Sequence, residues 1–536
     1  MHKIKGYPLA FSCIVVAYLV YASIFIYKTS ALVEQKPEGY NGPEKYWVTT
    51  DQRYFVLFDD AMVSMRFARN LANGDGLVWN PGGERIEGYT NPLWVGYMAV
   101  VHLVEDDMTR TSLYIQVTAA ILLAINLWVV WNIAKLVIGN QAAALGAVIF
   151  TAFYLPLNTW SLQGNEVSSL TLILSLTVWG ALSALNAERF SAWPYILLGF
   201  STLIRMDMAV AVGMLAAFLF FVDRAHWKQH IMVPVVSLAA FMIPQTAFRV
   251  WYYDAWLPNT YYLKMQGYPF VLRILHGLDV TLRVFIKVGV LPLLVFVFRR
   301  DRLVRLLAWM VLGQVGYSIY VGGDAWEWYG GANRYVSIVM PLFFVLLWCT
   351  LHEIYRVVPL ESKPMARYGI AAFGAFVLVT VNATYGPGAL NEWLLLKPSM
   401  DAADNGKKVE QALWLQRYTT EEARIALAGA GIVPYFAERP YIDLLGKSDK
   451  VIAHRQMDRS TIPELKPGHM KWDYGYSIGE LQPDVVMELW VDEASAGEYL
   501  NAAYMGVWSE PHQHLVWMKR GSNTVAWALL GLPDGG

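Results

Sequence analysis

Repeated runs of apolar residues constrain this 536-residue chain more than any other feature. An α-helix needs about 20 mostly apolar residues to span a bilayer. Only 16% of the residues are charged, against about 25% in soluble domains. The sequence therefore predicts a polytopic α-helical membrane protein with about eleven transmembrane helices. They are expected near residues 8–27, 112–138, 142–156, 167–186, 193–204, 206–222, 231–252, 280–298, 303–321, 334–356 and 366–385.

Basic residues in the connections predict how these helices are oriented. Lysine and arginine are concentrated in every second connection, and cytoplasmic loops carry such an excess. The N-terminus is then expected inside and the C-terminus outside. One further apolar run, 92–104, is too short for a span and is expected to form a surface-lying or re-entrant helix. The basic connections hold Lys3, Lys5, Lys135, Arg189, Arg224, Lys228, Arg299, Arg300, Arg302, Arg305, Arg356, Lys363 and Arg367.

The hydrophobic pattern changes near the end of the last run and predicts two domains. Residues 1–385 are expected to form a transmembrane domain, whose first external loop (28–111) carries juxtamembrane helices. Residues 386–536 are expected to form a soluble α/β domain on the outer face.

The pattern of the tail supports this α/β interpretation. Residues 424–446 are typical of a strand, a short helix and a second strand, and 483–489 and 514–519 are typical of further strands. The Gly429-x-Gly431 pair lacks the third glycine of a dinucleotide-binding turn, so nucleotide binding is not expected there.

Four polar segments lie in connections that are predicted to face outward. They are rich in Trp, Tyr, Asn and Gly, whereas ordinary solvated loops favour Ser, Lys and Glu. Their position on one side predicts an extracytoplasmic active site, with merely solvated loops as the alternative. The segments are 58–70, 162–166, 258–267 and 322–335.

An aspartate pair opens the first of these segments. The pattern predicts a helix from Asp59 to Leu71, with Asp59 at the N-cap and Asp60 beside it. Arg66 and Asn70 follow one to two turns later. An ionised aspartate at a helix N-terminus can serve as a general base toward a sugar hydroxyl. The alternatives are simple helix capping by the first acid and pairing of the second with a nearby arginine.

The segment GGDAWEWYGGANRY is the second candidate for chemistry. Asp324 with Trp326 and Trp328 is suited to hydrogen bonding and stacking with a sugar. Arg334 is suited to binding a phosphate. The alternative is an aromatic belt at the membrane interface with an incidental acid.

Other charged residues near the apolar runs are candidates for binding the phosphate of a donor. Lys264 is one, and the alternative for it is snorkelling to the interface. Arg205 is another, and with Asp207 it falls at a break in a long apolar run. An ion pair inside the membrane is functional by default, although this pair, like Glu166, could instead hold two helices together.

Several classes of function find no support in the composition. The net charge of −1 gives no sign of a nucleic-acid partner. The histidines are scattered and the two cysteines lie in apolar runs, so no zinc-type site and no cofactor are expected. A divalent cation on Asp59, Asp60 or Asp324 stays an open alternative. No Walker loop or nucleotide-sugar motif occurs, so a lipid-borne donor fits better than a soluble one.

Residues 58–94, FDDAMVSMRFARNLANGDGLVWNPGGERIEGYTNPLW, resemble the first external loop of the mycobacterial terminal arabinofuranosyltransferases and their bacterial relatives. These are membrane glycosyltransferases of the C-type superfamily. The segments PNTYYLK, GGDAWEWYGGANRY and YIDLLGKSD are similar to later signatures of that group. The chain is also similar to the arabinosyltransferases of type IV pilin. The loop after Gly323 departs from the pattern by its greater aromatic bulk, which leaves the acceptor open.

The resemblance implies an enzyme that takes arabinofuranose from decaprenyl- or undecaprenyl-phosphate, with Asp59 and Asp60 as the catalytic acids. It implies a multi-pass protein of the bacterial inner membrane, with the active site and the tail on the periplasmic face. The partners would be a polyprenyl-phosphate-linked sugar, membrane lipid, and a glycan or pilin acceptor. Lys264, Arg334 and Arg205 are the expected ligands of the donor phosphate. The expected substrate-binding residues are Arg66, Asn70, Glu87, Tyr89, Asn91, Glu166, Asn259, Tyr261, Asp324, Trp326 and Trp328.

Two other functions remain as alternatives. One is a transferase of mannose or aminoarabinose from the same class of donor. The other is a transporter of lipid-linked sugars, although transporters often contain internal repeats and none is evident here.

Overall fold

The computed structural model describes residues 6–35, 50–288, 290–324, 333–383, 388–399, 402–460, 462, 465–491, 493–510 and 513–532. Lys3, Lys5, Trp326 and Trp328 lie outside these ranges. The chain divides into two compact units that are interleaved in sequence. We call Met1–Phe25, Gln116–Phe248 and Tyr268–Met400 the helical unit. We call Ile26–Ile115, Arg249–Gly267 and Asp401–Gly536 the mixed unit.

Helices dominate the described residues. In chain order they are α1 (Gly6–Thr29), α2 (Asp59–Ala72), α3 (Pro92–Val104), α4 (Met108–Ile138), α5 (Gln141–Ala152), α6 (Leu155–Leu162), α7 (Val167–Asn186), α8 (Trp193–Phe200), α9 (Ala209–Val222), α10 (Gln229–Tyr253), α11 (Asn259–Met265), α12 (Phe270–Val288), α13 (Val295–Phe298), α14 (Arg302–Val321), α15 (Arg334–Ser337), α16 (Met340–Val357), α17 (Lys363–Ala383), α18 (Ala389–Trp393), α19 (Asn405–Tyr418), α20 (Ile432–Ala437), α21 (Lys450–His454) and α22 (Glu493–Ala503).

The predicted polytopic helical fold is confirmed, but fewer helices than eleven can cross a bilayer unaided. Among the described residues, seven helices are long and apolar enough: α1, α4, α7, α10, α14, α16 and α17. The count is eight if α5 and α6, which meet at a bend of 49°, form one broken span.

The remaining predicted spans are shorter or interrupted. Helix α8 has eight residues and α9 has fourteen, and turns of 3₁₀-helix separate them. At 1.5 Å per residue neither crosses about 30 Å of hydrocarbon. The predicted run 280–298 is divided between the end of α12, a 3₁₀ turn at Leu291–Leu294 and the four-residue α13. Apolar composition alone did not reveal these breaks.

Small residues allow helices of the helical unit to pack closely. A Cβ built on Gly146 of α5 would lie 2.3 Å from the Trp348 ring of α16, and one built on Gly180 of α7 would lie 2.0 Å from the Trp193 ring. Only glycine fits at such contacts. This is the usual way in which helices associate in membranes, where van der Waals packing replaces the hydrophobic effect.

The mixed unit contains both sheets. A hairpin joins β1 (Ala31–Gln35) and β2 (Thr50–Tyr54). The second sheet has the strand order β4-β3-β5-β7-β6, with parallel pairing among the first three strands and antiparallel pairing among the last three. Its strands are β3 (Ile425–Leu427), β4 (Tyr441–Asp443), β5 (Val485–Val486), β6 (Tyr504–Ser509) and β7 (His514–Lys519).

The predicted strands of the tail are all present. Strand β3, helix α20 and strand β4 lie within 424–446 in the expected order, β5 lies within 483–489, and β7 matches 514–519. Strand β6 was not predicted, since Gly506 interrupts its β-forming residues. The short run 92–104 forms the 13-residue α3, too short to be a span, as expected.

Candidate active site

The aspartate pair lies at the first turn of α2, within the mixed unit. The helix begins at Asp59 as predicted, but its N-cap residue is Phe58, and no side chain caps it. The expectation that Asp59 is the N-cap is therefore wrong by one position. Its carboxylate instead accepts a hydrogen bond from the backbone N–H of Ile432, at 3.0 Å. This hydrogen bond from the tail engages the Asp59 carboxylate, which therefore does not cap its own helix.

Each aspartate has its own lysine partner. Lys408 Nζ of α19 lies 3.4 Å from Asp59 Oδ1, and Lys447 Nζ is ion-paired with Asp60 Oδ1. The two carboxylates are 20% and 19% exposed, so both are partly open to solvent. The side chain of Lys447 is 13% exposed and that of Lys408 is 35% exposed. Asp60 is thus held by the more enclosed cation, and Asp59 by a longer, more open contact.

A tight turn after β4 positions Lys447. The carboxylate of Asp443 accepts backbone N–H bonds from Leu445, Gly446 and Ser448 at 2.8–3.1 Å. Burial raises the pKa of Asp443, although these hydrogen bonds act in the opposite direction.

The predicted substrate ligand Asn259 lies against the same turn. Its Nδ2 lies within hydrogen-bond distance of the carbonyls of Gly446, Lys447 and Asp449, at 2.8–3.2 Å. Asn259 therefore ties the first residue of α11 to the turn that presents the lysine.

The two lysines stay protonated in this environment. Burial lowers the pKa of Lys447, but the charges of Asp60 and then Asp59 outweigh it, so the pKa is raised. Burial likewise lowers the pKa of Lys408, and Asp59 followed by Glu488 raises it above its ordinary value. The carboxylates thus face fixed positive charges, which stabilise negative charge in their surroundings.

Lys264 and His469 belong to the same charged environment. A Cβ built on Gly468 would lie 3.4 Å from Lys264 Cε, so the lysine stem lies beside that backbone. Burial lowers the pKa of His469 to about 4, with further lowering by Lys447 and Lys264 and an opposing effect of Asp60. His469 is therefore neutral at pH 7, and the charges of Lys447 and Lys264 both act on its imidazole.

The later residues of α2 hold the first external loop and the tail together. Arg66 donates to the carbonyls of Trp79 and Arg439 at 2.6 and 2.8 Å, and also to that of Pro434. Asn70 donates to the carbonyls of Val78 and Trp79 at 2.9 and 3.1 Å. These described contacts are structural, and a substrate-binding role for either side chain stays a prediction.

The other predicted ligands of the first loop are mostly buried. Glu87 forms an ion pair with Arg249. The hydroxyl of Tyr89 lies 2.9 Å from that of Tyr253, and Asn91 Oδ1 accepts a 3.0 Å hydrogen bond from Ser64. Tyr261, a predicted ligand in α11, is by contrast 43% exposed. Their roles toward substrate stay predictions.

A second charged cluster lies within the helical unit. Arg205 contacts both Asp207 oxygens, at 2.6 and 3.1 Å, and Glu166 Oε1 at 2.9 Å. The hydroxyl of Tyr317 donates to Asp207 at 2.9 Å. The guanidinium also lies 5.1 Å from the centre of the Tyr335 ring. The predicted pair of Arg205 and Asp207 is thus present, and Glu166 joins it.

The same unit holds the pair of Asp324 and Arg334. The guanidinium reaches both carboxylate oxygens, at 2.8 and 3.0 Å, and the backbone N–H of Arg334 donates to one of them at 3.2 Å. Arg334 also stacks over the Trp160 ring, 5.1 Å from its centre. This bidentate geometry is the strong form of an arginine–carboxylate pair. The two tryptophans predicted beside Asp324 fall outside the described residues.

Sequence reasoning missed the cations that face the acids. Lys408 and Lys447 are 349 and 387 residues away from their partners, and no local pattern connects them. The motif YIDLLGKSD contains Lys447 and was the available signal, though only as part of a resemblance. Among the described residues, no group of three His, Cys, Asp or Glu side chains could hold a metal ion.

Two family models match parts of the chain. The model of dolichyl-phosphate-mannose-protein mannosyltransferases matches residues 97–251. A domain of unknown function, DUF8728, matches residues 400–526. The second match covers most of the tail that the sequence predicts as a separate domain.

One curated relative shares part of the sequence. The terminal β-(1→2)-arabinofuranosyltransferase of Mycobacterium tuberculosis is 24% identical over 229 residues, which are 40% of this chain and 35% of the relative. The chain thus spans about a third of the length of the curated relative that it matches.

Solved structures match nearly the whole chain. ArnT from Cupriavidus metallidurans in the apo state has a TM-score of 0.56 at 12% identity, covering 99% of this chain and 100% of ArnT. ArnT bound to undecaprenyl phosphate gives 0.55 at 12% identity, covering 96% and 98%. The Archaeoglobus fulgidus oligosaccharyltransferase in its apo form gives 0.53 at 12% identity, covering 89% and 69%.

Together these matches define the fold as that of the C-type superfamily of membrane glycosyltransferases. The resemblance that the sequence predicted is confirmed at this level. Within that class, the arabinofuranosyltransferase and ArnT are the relatives to which the chain is similar.

Proposed function

We propose that this protein transfers D-arabinofuranose from a polyprenyl-phosphate lipid to an acceptor outside the cytoplasm. The C-type fold supports a transferase, and one structure of that fold holds undecaprenyl phosphate. The mycobacterial relative supports the pentose. The acceptor is a cell-envelope glycan or pilin, and the protein lies in the bacterial inner membrane with the aspartate pair on the periplasmic face.

The arrangement of Asp59 carries this proposal. It is partly exposed at the start of α2, and its lysine partner is the more open of the two. In the proposed step Asp59 takes the proton of the acceptor hydroxyl. The acceptor oxygen bonds to C1 of the sugar while the bond from C1 to the phosphate oxygen breaks. Polyprenyl phosphate then leaves with the electron pair.

Fixed cations would stabilise the departing phosphate. Of the three predicted phosphate ligands, Lys264 is the one that belongs to the same unit as Asp59, Asp60 and Lys447, and we assign the phosphate to Lys264 together with Lys447. Arg205 and Arg334 are each already matched by carboxylates. A second cation near the leaving oxygen stabilises charge that develops only as the bond breaks, which is the condition for a large rate effect.

Transfer by the purified full chain tests this function. Undecaprenyl-phosphoryl-arabinofuranose and a radiolabelled acceptor extract from a deletion strain would be the substrates, with mass spectrometry of surface glycans and pilin from that strain in parallel. The expected result is pentose transfer in vitro and a missing pentose in the strain. If the strain loses a hexose instead, the arabinose assignment is wrong.

A mannosyl or aminoarabinose transferase is the second candidate. The match of residues 97–251 to the dolichyl-phosphate-mannose-protein mannosyltransferases favours the mannosyl form of this candidate. An assay that offers the three lipid-linked sugars side by side separates the candidates by which one is consumed. Movement of intact lipid-linked sugar across the membrane, without transfer, would instead indicate a transporter.

A further inference from the structure

The turn between α6 and α7, within the helical unit, buries an unusual set of polar side chains. Ser161, Gln163, Asn165 and Ser168 are each at most 3% exposed. Among the described residues, both amide atoms of Gln163, the amide nitrogen of Asn165 and both serine hydroxyls have no hydrogen-bond partner. Buried polar groups are nearly always bonded. Several orphaned atoms within eight consecutive residues therefore call for a ligand.

The backbone of this turn is already fixed without these side chains. Gly164 adopts a left-handed conformation with φ +87°, and its N–H donates to the carbonyl of Ser161 at 3.1 Å. The N–H of Asn165 donates to the carbonyl of Trp160 at 3.2 Å. The amide side chains are not needed to form the turn, so their burial has another reason.

The surrounding charges favour a neutral ligand over an anionic one. The guanidinium groups of Arg205 and Arg334 meet three carboxylates, those of Glu166, Asp207 and Asp324. Among the described residues of this cluster three carboxylates are paired with two guanidinium groups, and this balance disfavours a phosphate there. Amide side chains both donate and accept hydrogen bonds, as sugar hydroxyls do.

We propose that the α6–α7 turn is a subsite for a neutral sugar ring, with Gln163 and Asn165 bonding its hydroxyls. The turn leads directly into α7, which is long and apolar enough to cross a membrane. We therefore expect the bound sugar to be one that a membrane lipid carries. This inference rests on the proposed function for the identity of that lipid. It also changes the role predicted for Arg205 and Arg334, from phosphate ligands to the walls of a sugar site.

Lipid binding by the full chain in nanodiscs tests the subsite without requiring catalysis. The probes are undecaprenyl phosphate and its arabinofuranosyl, mannosyl and aminoarabinosyl derivatives. The wild-type protein should bind one sugar-bearing lipid about ten-fold more tightly than the sugar-free lipid, the effect of a single good hydrogen bond or more. Gln163→Leu should abolish that preference, leave the affinity for undecaprenyl phosphate unchanged and not lower Tm.

Matched variants separate the subsite from burial in general. Asn126→Leu on α4 removes an amide that is also fully buried and without a described partner, and the sugar preference should survive it. Ser175→Ala, seven residues beyond Ser168 on α7, is the matched control for Ser168→Ala.

Several outcomes overturn the proposal. They are a wild-type protein with no preference for any sugar, a Gln163→Leu protein that keeps the preference, and a Gln163→Leu protein that loses affinity for both kinds of lipid equally. The last would indicate a site for the phosphate or the chain. Failure of the proposed function is distinct, because it would leave sugar-dependent binding intact while no pentose is transferred.

Discussion

The two charged clusters of this protein are built in opposite ways. In the mixed unit, Asp59 and Asp60 are about one-fifth exposed, and in the described contacts each is paired with a lysine. In the helical unit, Arg205 and Arg334 are 12% and 8% exposed, and each binds one aspartate through two guanidinium nitrogens. Lysine acts as a mobile point charge, whereas arginine forms a rigid two-pronged pair.

We interpret this difference as a division of roles, with the lysine-faced cluster suited to reaction and the arginine-faced cluster suited to holding the structure. A carboxylate that accepts a proton during turnover must change its charge, and the long contact of Asp59 with Lys408 leaves both side chains partly open to water when it does. A buried bidentate pair cannot lose one charge without leaving the other uncompensated. We therefore expect reactivity in the lysine-faced cluster and rigidity in the arginine-faced one.

The largest expected effect is a loss of catalysis when Asp59, in the lysine-faced cluster, is substituted. Asp59→Asn keeps the size of the side chain and removes its basicity, so transfer should fall by about a thousand-fold, within the usual range for a general base. Rates with saturating lipid donor measure this. Asp106→Asn, which changes an exposed acid of the same unit, is the control and should keep the wild-type rate. A folded Asp59→Asn protein with full activity would end the proposed division between the clusters.

The second largest effect should be a loss of protein stability when the arginine-faced cluster is substituted. Arg334→Lys cannot reproduce the two-nitrogen contact with buried Asp324, so we expect a loss of about 3 kcal/mol in the free energy of unfolding. Unfolding in detergent monitored by circular dichroism measures it. Arg302→Lys affects an exposed pair with Glu188 and should change stability by less than about 0.5 kcal/mol. Equal effects of the two variants would show that the arginine cluster is not rigid.

A smaller effect concerns how the tail approaches the acids. A Cβ on Gly431 would lie 1.9 Å from the Asp59 carbonyl oxygen, so Gly431→Ala must push α20 away from α2. We expect a loss of about 2 kcal/mol, as for other overpacked sites. Gly497→Ala in α22 is the control, since its Cβ would meet only Asn501, at 3.9 Å. That substitution should stabilise its helix slightly, and a neutral Gly431→Ala would contradict the close approach.

The smallest effect is a dependence of stability on pH near the lysine-faced cluster. Burial lowers the pKa of His469 from 6.5 to about 4. Between these values the unfolded chain binds a proton that the folded chain does not, so stability falls as the pH falls. The contribution at pH 5.5 should be about 1 kcal/mol relative to pH 7. His469→Gln should flatten this slope while His454→Gln keeps it; an unchanged slope in the first variant would remove His469 from this role.

Local patterns predicted the elements of the fold better than the partners of the acids. Helix α2 was expected at Asp59–Leu71 and ends one residue later, because charged first-turn residues and a regular apolar face mark such helices. Among the described residues, fewer single helices are long enough to cross a bilayer than the eleven predicted, because residue composition does not show where a helix breaks. The lysine partners come from the tail, and only the folded chain brings them to the acids.

The sequence distance between acids and lysines has a consequence for biosynthesis. Asp60 is synthesised 387 residues before Lys447, an interval on the order of 20 s or more at ordinary elongation rates. Until the tail is made, the nascent chain has two carboxylates and neither Lys408 nor Lys447. A product truncated before the tail would keep the acids and lack both cations. Both ion pairs can therefore form only after the last quarter of the polypeptide has begun to be made, so the charge balance around the acids depends on completion of the tail.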